Sequence, residues 1–256
     1  MKVSLVQQNI IWCDPKANHE HLEDLFGIVR NSVDLIVLPE MFSTGFVMNP
    51  AQEAEKSPYP SLRWMKSIAK KNNCAVAGGV SVNEGGIYYN RFYFVKPDGK
   101  VTFYNKKHLF TYGGEKAAYT AGNNRVIVEW RGVRFLLTVC YDLRFPVWLR
   151  NRDDYDVILC IASWPSVRRI AWDSLCSARA IENQCYVCAV NRIGIDPLCE
   201  YNGGTRVINP YGINLALIDN DTEGIVTAEL DLTALQVYRD KFPILSDADN
   251  FCIIAE

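Results

Sequence analysis

Short apolar runs alternate with amphipathic segments along the chain. Runs such as VSLV, LIVL, FLLTVC, VILCIA and YVCAV are apolar at nearly every position. This pattern indicates strands that are covered on both faces, because a strand with one wet face alternates apolar and polar residues. Apolar side chains recur at helical spacing in two segments before residue 73 and in a longer one, VRRIAWDSLCSARAIENQ. The chain is therefore predicted to contain both strands and helices.

The first helix has a clear start, and three turns have the composition of hairpins. Asp14 is placed to cap this helix, and Pro15 takes its first position, where a missing N–H costs nothing. The side chains expected on its buried side are Leu22, Leu25, Phe26 and Val29. Hairpin turns are predicted at residues 96–100, 131–132 and 210–212, where Gly is combined with Pro, Asp or Arg.

These elements favour an α/β fold with a four-layer α-β-β-α sandwich. About a dozen short strands and four or five helices fit two sheets between two helix layers better than one wound sheet. A chain of 256 residues with 49% apolar residues can bury one large core. Because no repeat or linker divides the sequence, we expect a single domain over residues 1–256.

Net charge and composition limit the classes of partner that we expect. The net charge is −2, the pI is near 6.0, and the lysine-rich pieces are short and scattered, so nucleic acid is not an expected partner. No apolar run approaches the roughly 20 residues that cross a bilayer, so no membrane partner is expected. Polar residues at 7–9 interrupt any signal-peptide core, and nine scattered cysteines favour reduced thiols. We therefore expect a cytoplasmic protein.

Three apolar strands end in groups that are suited to chemistry. Glu40, Cys140 and Trp164 each follow such a strand at or near its carboxyl end. Carboxyl ends of strands open onto the ligand crevice of α/β sheets, so these groups can share one site. A thiol is a weak nucleophile at its ordinary pKa and needs a base or a cation beside it. The convergence is the first indication of an enzyme.

The histidines do not supply the base in this interpretation. His19 and His21 lie in the first helix, where surface positions are expected. His108 follows Lys107 at a strand end, where neighbours point to opposite faces, so Lys107 and His108 do not both face the crevice. Glu40 is then the candidate base and Lys107 the candidate cation for the thiolate and the oxyanion.

The motifs around these residues resemble those of a known family. LPEMF with Glu40, YNKKHLF with Lys107 and TVCYDLRFP with Cys140 resemble the Glu-Lys-Cys triad of the nitrilase superfamily, the carbon-nitrogen hydrolases. The resemblance continues through GGE at Glu115, ASWP at Trp164, ARAIENQ, NGGTRVINPYG and FPILSDADNF, and is strongest to the bacterial omega-amidase-like branch. It implies a nitrilase-like fold, no cofactor and a homodimer.

The resemblance also implies a mechanism. Cys140 attacks an amide carbonyl and forms a thioester, while Glu40 acts as general base and passes the proton to the departing ammonia. Lys107 and the backbone N–H of Tyr141 hold the oxyanion. Glu115 orients Lys107 or binds substrate. The implied reaction is hydrolysis of the terminal amide of a small dicarboxylate monoamide, such as 2-oxoglutaramate or 2-oxosuccinamate.

Candidate substrate-binding residues follow the site-forming strands. Arg144, Arg168 and Arg169 can each receive a substrate carboxylate through a bidentate contact, and we favour Arg144. The candidate aromatic walls are Tyr112, Tyr141, Trp164 and either Phe42 or Phe46.

Other interpretations stay open at this stage. One alternative is a nitrilase or an N-carbamoyl hydrolase that uses the same triad. Another is a catalytically silent binding protein with the same fold. A thiol redox protein is less favoured, because no cysteine lies beside Cys140 in sequence. Lys107 can instead be an exposed charge at the end of the strand, next to the equally basic Lys106. Cys185 and Cys188 are spaced to face opposite sides of a strand, so no metal site is expected there.

Overall fold

Strands and helices alternate along residues 1–27 and 33–253, which the computed structural model describes. The strands are β1 Lys2–Gln7, β2 Leu35–Val37, β3 Ala75–Glu84, β4 Ile87–Val95, β5 Val101–Asn105, β6 Ile127–Trp130, β7 Val133–Val139, β8 Val157–Ala162, β9 Tyr186–Asn191, β10 Ile193–Ile195, β11 Glu200–Asn202, β12 Arg206–Ile208, β13 Asn214–Leu217 and β14 Gly224–Glu229. The α-helices are α1 Pro15–Gly27, α2 Pro50–Glu53, α3 Pro60–Asn72, α4 Glu115–Ala118, α5 Pro146–Leu149, α6 Arg169–Glu182 and α7 Leu232–Lys241.

Two six-stranded sheets form the centre of the molecule. The first has the order β14-β1-β2-β3-β4-β5, and the second has the order β13-β12-β9-β8-β7-β6. In each sheet three neighbouring strands are parallel, β1 to β3 and β7 to β9, and antiparallel strands extend both sides. The parallel strands are the continuously apolar runs, as expected for strands that are buried on both faces.

Side chains of both sheets meet in a shared core, and helices cover the outer faces. Phe94 of β4 and Phe135 of β7 lie with ring centroids 5.9 Å apart between the sheets. Leu22 of α1 and Met65 of α3 pack with the outer face of the first sheet. Trp172 of α6 packs with the second sheet. This is the predicted four-layer sandwich, and the fold prediction is confirmed.

The predicted helix cap and the three predicted hairpins are present in the structure. Asp14 caps α1, since its Oδ1 accepts a hydrogen bond of 3.0 Å from the N–H of Ala17. The hairpins β4-β5, β6-β7 and β12-β13 form at the three expected turns. Val29, expected on the buried side of α1, lies outside the described residues. No helix in the described ranges is long and apolar enough to span a membrane.

The carboxyl ends of β2, β7 and β8 lie at one end of the sandwich. Glu40 follows β2, Cys140 follows β7, and Ser163 follows β8. The O–H of Ser163 donates to the backbone oxygen of Glu40 at 3.3 Å, so the two sheets are joined at this edge. The fold therefore brings these strand ends together, as the sequence predicted.

Candidate active site

Cys140 stands at a sharp turn between β7 and a 3₁₀ helix, Cys140–Arg144. Its φ of 47° is unusual for a residue with a side chain, and such backbone strain is often found at functional sites. Only 9% of the residue is exposed. The N–H of Tyr141 belongs to the first turn of this helix, where amides have no partner within the helix itself. The turn thus presents a thiol together with a backbone donor.

Asp142 fastens this turn from behind. Its buried carboxylate accepts hydrogen bonds from the N–H of Val139 at 2.9 Å and from the hydroxyl of Tyr104 at 2.8 Å. It also accepts a bond from the N–H of His108 at 3.0 Å and lies 2.7 Å from the Nδ1 of that ring. The His108 ring stacks on Phe145, with centroids 3.8 Å apart. His108 is therefore part of the support of the turn.

Lys106 lies at the centre of a buried charge cluster. Its Nζ is 2.9 Å from Oε1 of Glu40 and 2.8 Å from Oε2 of Glu115, and all three side chains are fully buried. Asn90 of β4 donates from Nδ2 to both carboxylates, at 2.7 Å to Glu40 and 2.8 Å to Glu115. One ammonium and one amide thus join two carboxylates that repel each other.

The lysine that faces the site lies one residue before the predicted one. Lys106 faces the site, whereas the Nζ of Lys107 points away and donates to Asn123 at 3.1 Å near the surface. Neighbouring side chains at a strand end face opposite sides, so only one of the two lysines reaches the cluster. The prediction of Lys107 as the site cation is wrong for this reason. Lys106 occupies the place that was expected for Lys107.

Glu40 is held on both of its carboxylate oxygens. Its Oε1 contacts Lys106 and Asn90, and its Oε2 accepts a hydrogen bond of 2.7 Å from the N–H of Ser163. The backbone oxygen of Ser163 lies 4.0 Å from Sγ of Cys140. Glu40 and the thiol therefore flank the same residue. Glu115 is fixed in addition by the N–H of Phe110, at 2.7 Å.

Burial and neighbouring charges set the protonation of the cluster. Burial raises the pKa of the Cys140 thiol well above its usual value, the Glu40 charge adds to this, and Lys106 opposes it. Burial alone lowers the pKa of Lys106, but the carboxylates of Glu115 and Glu40 outweigh it and hold that pKa well above the usual value. Burial, with Glu40 nearby, raises the pKa of Glu115 although Lys106 opposes this. The resting pair is therefore a neutral thiol beside a protonated amine.

A cavity of about 290 Å³ leads from the surface to Cys140 and Lys106. The predicted residues that line it are Phe46, Tyr112, Tyr141, Arg144 and Trp164. Phe42 packs in the core under the first sheet, so the structure selects Phe46 of the two candidates. The Tyr141 ring contacts Phe145 edge-on, with centroids 5.1 Å apart. Small size and aromatic walls suit a small organic substrate.

Two of the three candidate arginines reach this cavity. Arg144 and Arg168 both line it, whereas Arg169 points away and pairs with Asp173 at 2.8 Å. The Cζ of Arg144 lies 4.9 Å from the ring centroid of Trp164, and that of Arg168 lies 5.2 Å from the centroid of Phe110.

Several cavity and cluster residues were missed from the sequence. They are Asn90, Lys106, Phe110, Ser163, Leu198, Cys199 and Tyr201. Asn90 carried a usable signal, because a polar side chain in the apolar strand YYNRFYFV asks for a buried hydrogen-bond partner. Leu198, Cys199 and Tyr201 had no such signal, since they lie in β11 and the segment before it, which are distant in sequence from the other site residues.

The remaining cysteines form no metal site within the part of the chain that the structure describes. Cys185 and Cys188 are buried and unpaired in the core around β9. Cys199 lines the cavity that also contains Cys140.

The chain is similar to known proteins over nearly its whole length. The sequence model of the carbon-nitrogen hydrolase family matches residues 2–240. The chain is 47% identical over 253 residues to Omega-amidase YafV of Escherichia coli (strain K12), with 98% of each chain covered. It is 35% identical over 250 residues to the 2-oxoglutaramate amidase of Bacillus subtilis (strain 168), with 96% of each chain covered.

A solved structure agrees with the whole fold. It is that of XC1258 from Xanthomonas campestris, described as a CN-hydrolase superfamily protein with an arsenic adduct in the active site. The TM-score is 0.96 at 38% identity, and the match covers 99% of this chain and 98% of that chain. The similarity therefore spans the sandwich as well as the motifs.

Proposed function

Because the chain belongs to the carbon-nitrogen hydrolase family, we propose that it hydrolyses the terminal amide of a small dicarboxylate monoamide to the acid and ammonia. The family predicted from the motifs is confirmed by the match over residues 2–240. The names of the relatives, Omega-amidase and 2-oxoglutaramate amidase, support substrates such as 2-oxoglutaramate or 2-oxosuccinamate. The observation that carries the proposal is that Lys106, held between Glu40 and Glu115, lines the same cavity as Cys140.

The first half of the reaction forms a thioester. Sγ of Cys140 bonds to the amide carbon as its proton passes to Glu40, so a neutral resting thiol is activated only when substrate is present. The carbonyl oxygen gains negative charge, which the ammonium of Lys106 and the N–H of Tyr141 stabilise. Glu40 then returns the proton to the nitrogen, the C–N bond breaks, and ammonia leaves.

The second half releases the acid. Glu40 takes a proton from water, and the water oxygen bonds to the thioester carbon while the same donors hold the oxyanion. The C–S bond then breaks, and the proton on Glu40 returns to sulfur. Glu115 takes no proton in this scheme and acts as a positioning residue, since two hydrogen bonds hold Lys106 against it at 2.8 and 3.1 Å.

Ammonia release from a panel of compounds tests the function. We expect the purified protein to release ammonia from dicarboxylate monoamides faster than from nitriles or carbamoyl amines. Cys140→Ala serves as the blank, and Cys252→Ala, which changes an exposed cysteine, should keep full activity. Full turnover by Cys140→Ala contradicts the thioester mechanism.

The same panel separates the alternatives. A preference for nitriles or N-carbamoyl compounds points to the corresponding hydrolase with the same triad. No release from any compound supports a catalytically silent binding protein. The buried cluster argues against the silent protein, because it places a candidate base, a cation and a thiol nucleophile together, as amide hydrolysis requires.

Three broader expectations belong to the same proposal: one domain over residues 1–256, a cytoplasmic location and a homodimer. Nine unpaired cysteines fit a reducing compartment. Val167 and Ile170, exposed by 84% and 85% near the start of α6, offer an apolar surface that a second copy can cover. Ile170→Lys should shift a dimer toward monomer in sedimentation velocity, and an unchanged dimer would exclude this surface.

A further inference from the structure

We propose that Asn90 is a positioning residue that keeps both carboxylates of the buried cluster ionised and thereby sets the lower pH limit of the reaction. The inference rests on the proposed function, in which Glu40 must be free to accept the proton of Cys140. It names a residue behind the cavity wall on which this freedom depends. It also predicts the protonation of the resting cluster, which is measurable without turnover.

Strand pairing fixes the position of Asn90 beside the lysine of the site. Asn90 lies in β4 and is fully buried. Its backbone oxygen accepts a hydrogen bond of 2.9 Å from the N–H of Lys106, and on its other side it pairs with Ser81 of β3. A residue in the middle of a sheet is held more precisely than one in a loop. The amide group of Asn90 is therefore presented to the cluster from a rigid support.

Both hydrogens of the Asn90 amide are used on carboxylates. Nδ2 donates to Oε1 of Glu40 at 2.7 Å and to Oε1 of Glu115 at 2.8 Å. Its Oδ1 accepts no hydrogen bond from residues 1–27 and 33–253. The two bonds to the carboxylates are thus the hydrogen bonds that the side chain makes within this part of the chain. A neutral group stabilises two negative charges and adds no positive charge.

The charges of the cluster make these two bonds important. Two carboxylates share one ammonium, and two like charges in a buried site favour uptake of a proton by the pair. Burial raises the pKa of Glu115 and the charge of Glu40 adds to this, whereas Lys106 and the hydrogen bond of Asn90 act against it. Asn90 therefore opposes protonation of the carboxylates, as Lys106 does.

The other titratable groups that face this amide do not take up protons in acid. Burial raises the pKa of Tyr119, whose hydroxyl lies 2.8 Å from Oγ of Ser81, so it stays neutral. The pKa of Lys106 and that of Cys140 both lie well above their usual values, so neither group changes its protonation as the pH falls. Among the described groups around Asn90, the two carboxylates are left to titrate on the acid side.

Two substitutions should move the active pH range in opposite directions. Asn90→Leu removes the donor at similar size, so the acid limb of kcat/KM for succinamate should rise by about one pH unit. Asn90→Asp keeps the shape, and its carboxyl group can donate a hydrogen bond only while it is protonated. Activity of Asn90→Asp should therefore fall as pH rises, at pH values at which the wild type is fully active.

Controls separate this effect from lost structure. Asn105→Leu makes the same change in β5, where Asn105 accepts a hydrogen bond of 2.7 Å from Arg91, and both limbs should stay in place. Asn90→Ala removes the donor without adding bulk and should shift the acid limb as Asn90→Leu does. Thermal unfolding checks that each variant is folded. Lower kcat with wild-type limbs in Asn90→Leu and Asn90→Ala would show a purely structural role and overturn the inference.

Infrared difference spectra keep the inference separate from the proposed function, because they detect protonated carboxyl groups in the resting protein. The band that is lost in Glu115→Gln identifies the cluster, and it should appear at a pH about one unit higher in Asn90→Leu than in the wild type. This shift in a protein without turnover upholds the role of Asn90 and refutes the amidase. Turnover with an unshifted band and unshifted limbs refutes the role of Asn90.

Discussion

At the scale of single residues, the buried ammonium of Lys106 is the group on which the site depends. It is the only positive charge within hydrogen-bond reach of Glu40 and Glu115 among the described residues. Without it, two buried carboxylates face each other with only the amide of Asn90 between them. Lys106 thus both assembles the cluster and supplies charge to the oxyanion.

The adjacent lysines provide a matched pair of variants. We expect Lys106→Met to lower kcat by at least about a hundredfold, the usual loss for one oxyanion donor. Lys107→Met removes a partly exposed charge that contacts Asn123, so kcat should change by less than about twofold. Ammonia release measures both, and circular dichroism checks that each is folded. Equal losses in the two variants would contradict the assignment of Lys106.

The choice between these lysines shows where sequence reasoning stops. The alternation rule states that one faces the site and the other does not, but it does not say which. Apolar residues occupy both faces of the edge strand β5, with Phe103 on one face and Tyr104 on the other, so neither face is marked as the buried one. In the structure Tyr104 is buried and Phe103 is 44% exposed, and Lys106 shares the face of Tyr104.

At the scale of elements, ion pairs at the start of β8 hold this strand to β7 and to α7. Asp156, just before β8, accepts hydrogen bonds from Nε of Arg134 in β7 at 3.0 Å and from Nη1 of Arg239 in α7 at 3.0 Å. Burial works to raise the pKa of Asp156, but the hydrogen bonds of Arg134 and the charge of Arg239 outweigh it and lower the pKa. This carboxylate therefore joins the second sheet to its covering helix.

Acid should release this connection. A lowered pKa in the folded state gives stability that is present above the unfolded pKa, near 3.9, and is lost as pH falls through the folded pKa. Asp156→Asn should reduce the free energy of unfolding by about 1–3 kcal/mol at pH 7. The difference from wild type should shrink as pH falls below about 4, because the carboxylate of Asp156 is then progressively protonated, whereas Asn is uncharged at every pH. Urea titrations at several pH values measure it; a pH-independent difference contradicts the prediction.

Regular elements were predictable, and short ones were not. The hairpins and the cap at Asp14 follow from local composition, which acts over a few residues. The 3₁₀ helix Cys140–Arg144 is five residues long, too short for its apolar spacing to reveal a period. Its geometry depends on Asp142, whose partners Tyr104 and His108 are 38 and 34 residues away in sequence.

At the scale of the whole molecule, the two sheets press together directly behind the site. A Cβ at Gly79 of β3 would lie 2.8 Å from Cδ1 of Ile161 in the second sheet. It would also lie 2.9 Å from Cα of Glu40 and from the backbone nitrogen of Met41. The layering was predictable from doubly apolar strands, but this close approach was not, because it depends on how the sheets are aligned.

A single methyl group tests this contact. Gly79→Ala should reduce the free energy of unfolding by about 1–3 kcal/mol, the usual cost of overpacking, and lower kcat because the backbone of Glu40 must move. Gly224→Ala in β14, where an added Cβ meets nothing within 4 Å, should change stability by less than about 1 kcal/mol. Thermal unfolding and ammonia release measure both effects. Full activity in Gly79→Ala would show that the sheets can separate without disturbing Glu40.

The two acidic groups beside the nucleophile also bear on how the product leaves. In the proposed reaction the amide end of the substrate reaches Cys140, near the buried carboxylates of Glu40 and Glu115, and has no charge of its own. The carboxylate that replaces it carries the same sign as both, in a water-poor space where Coulomb repulsion is strong. Hydrolysis thus replaces a neutral amide, which Glu40 and Glu115 do not repel, with a carboxylate, which they do. Repulsion by Glu40 and Glu115 opposes the attraction of Lys106 for the acid and favours its release, so weak product inhibition is the expected result.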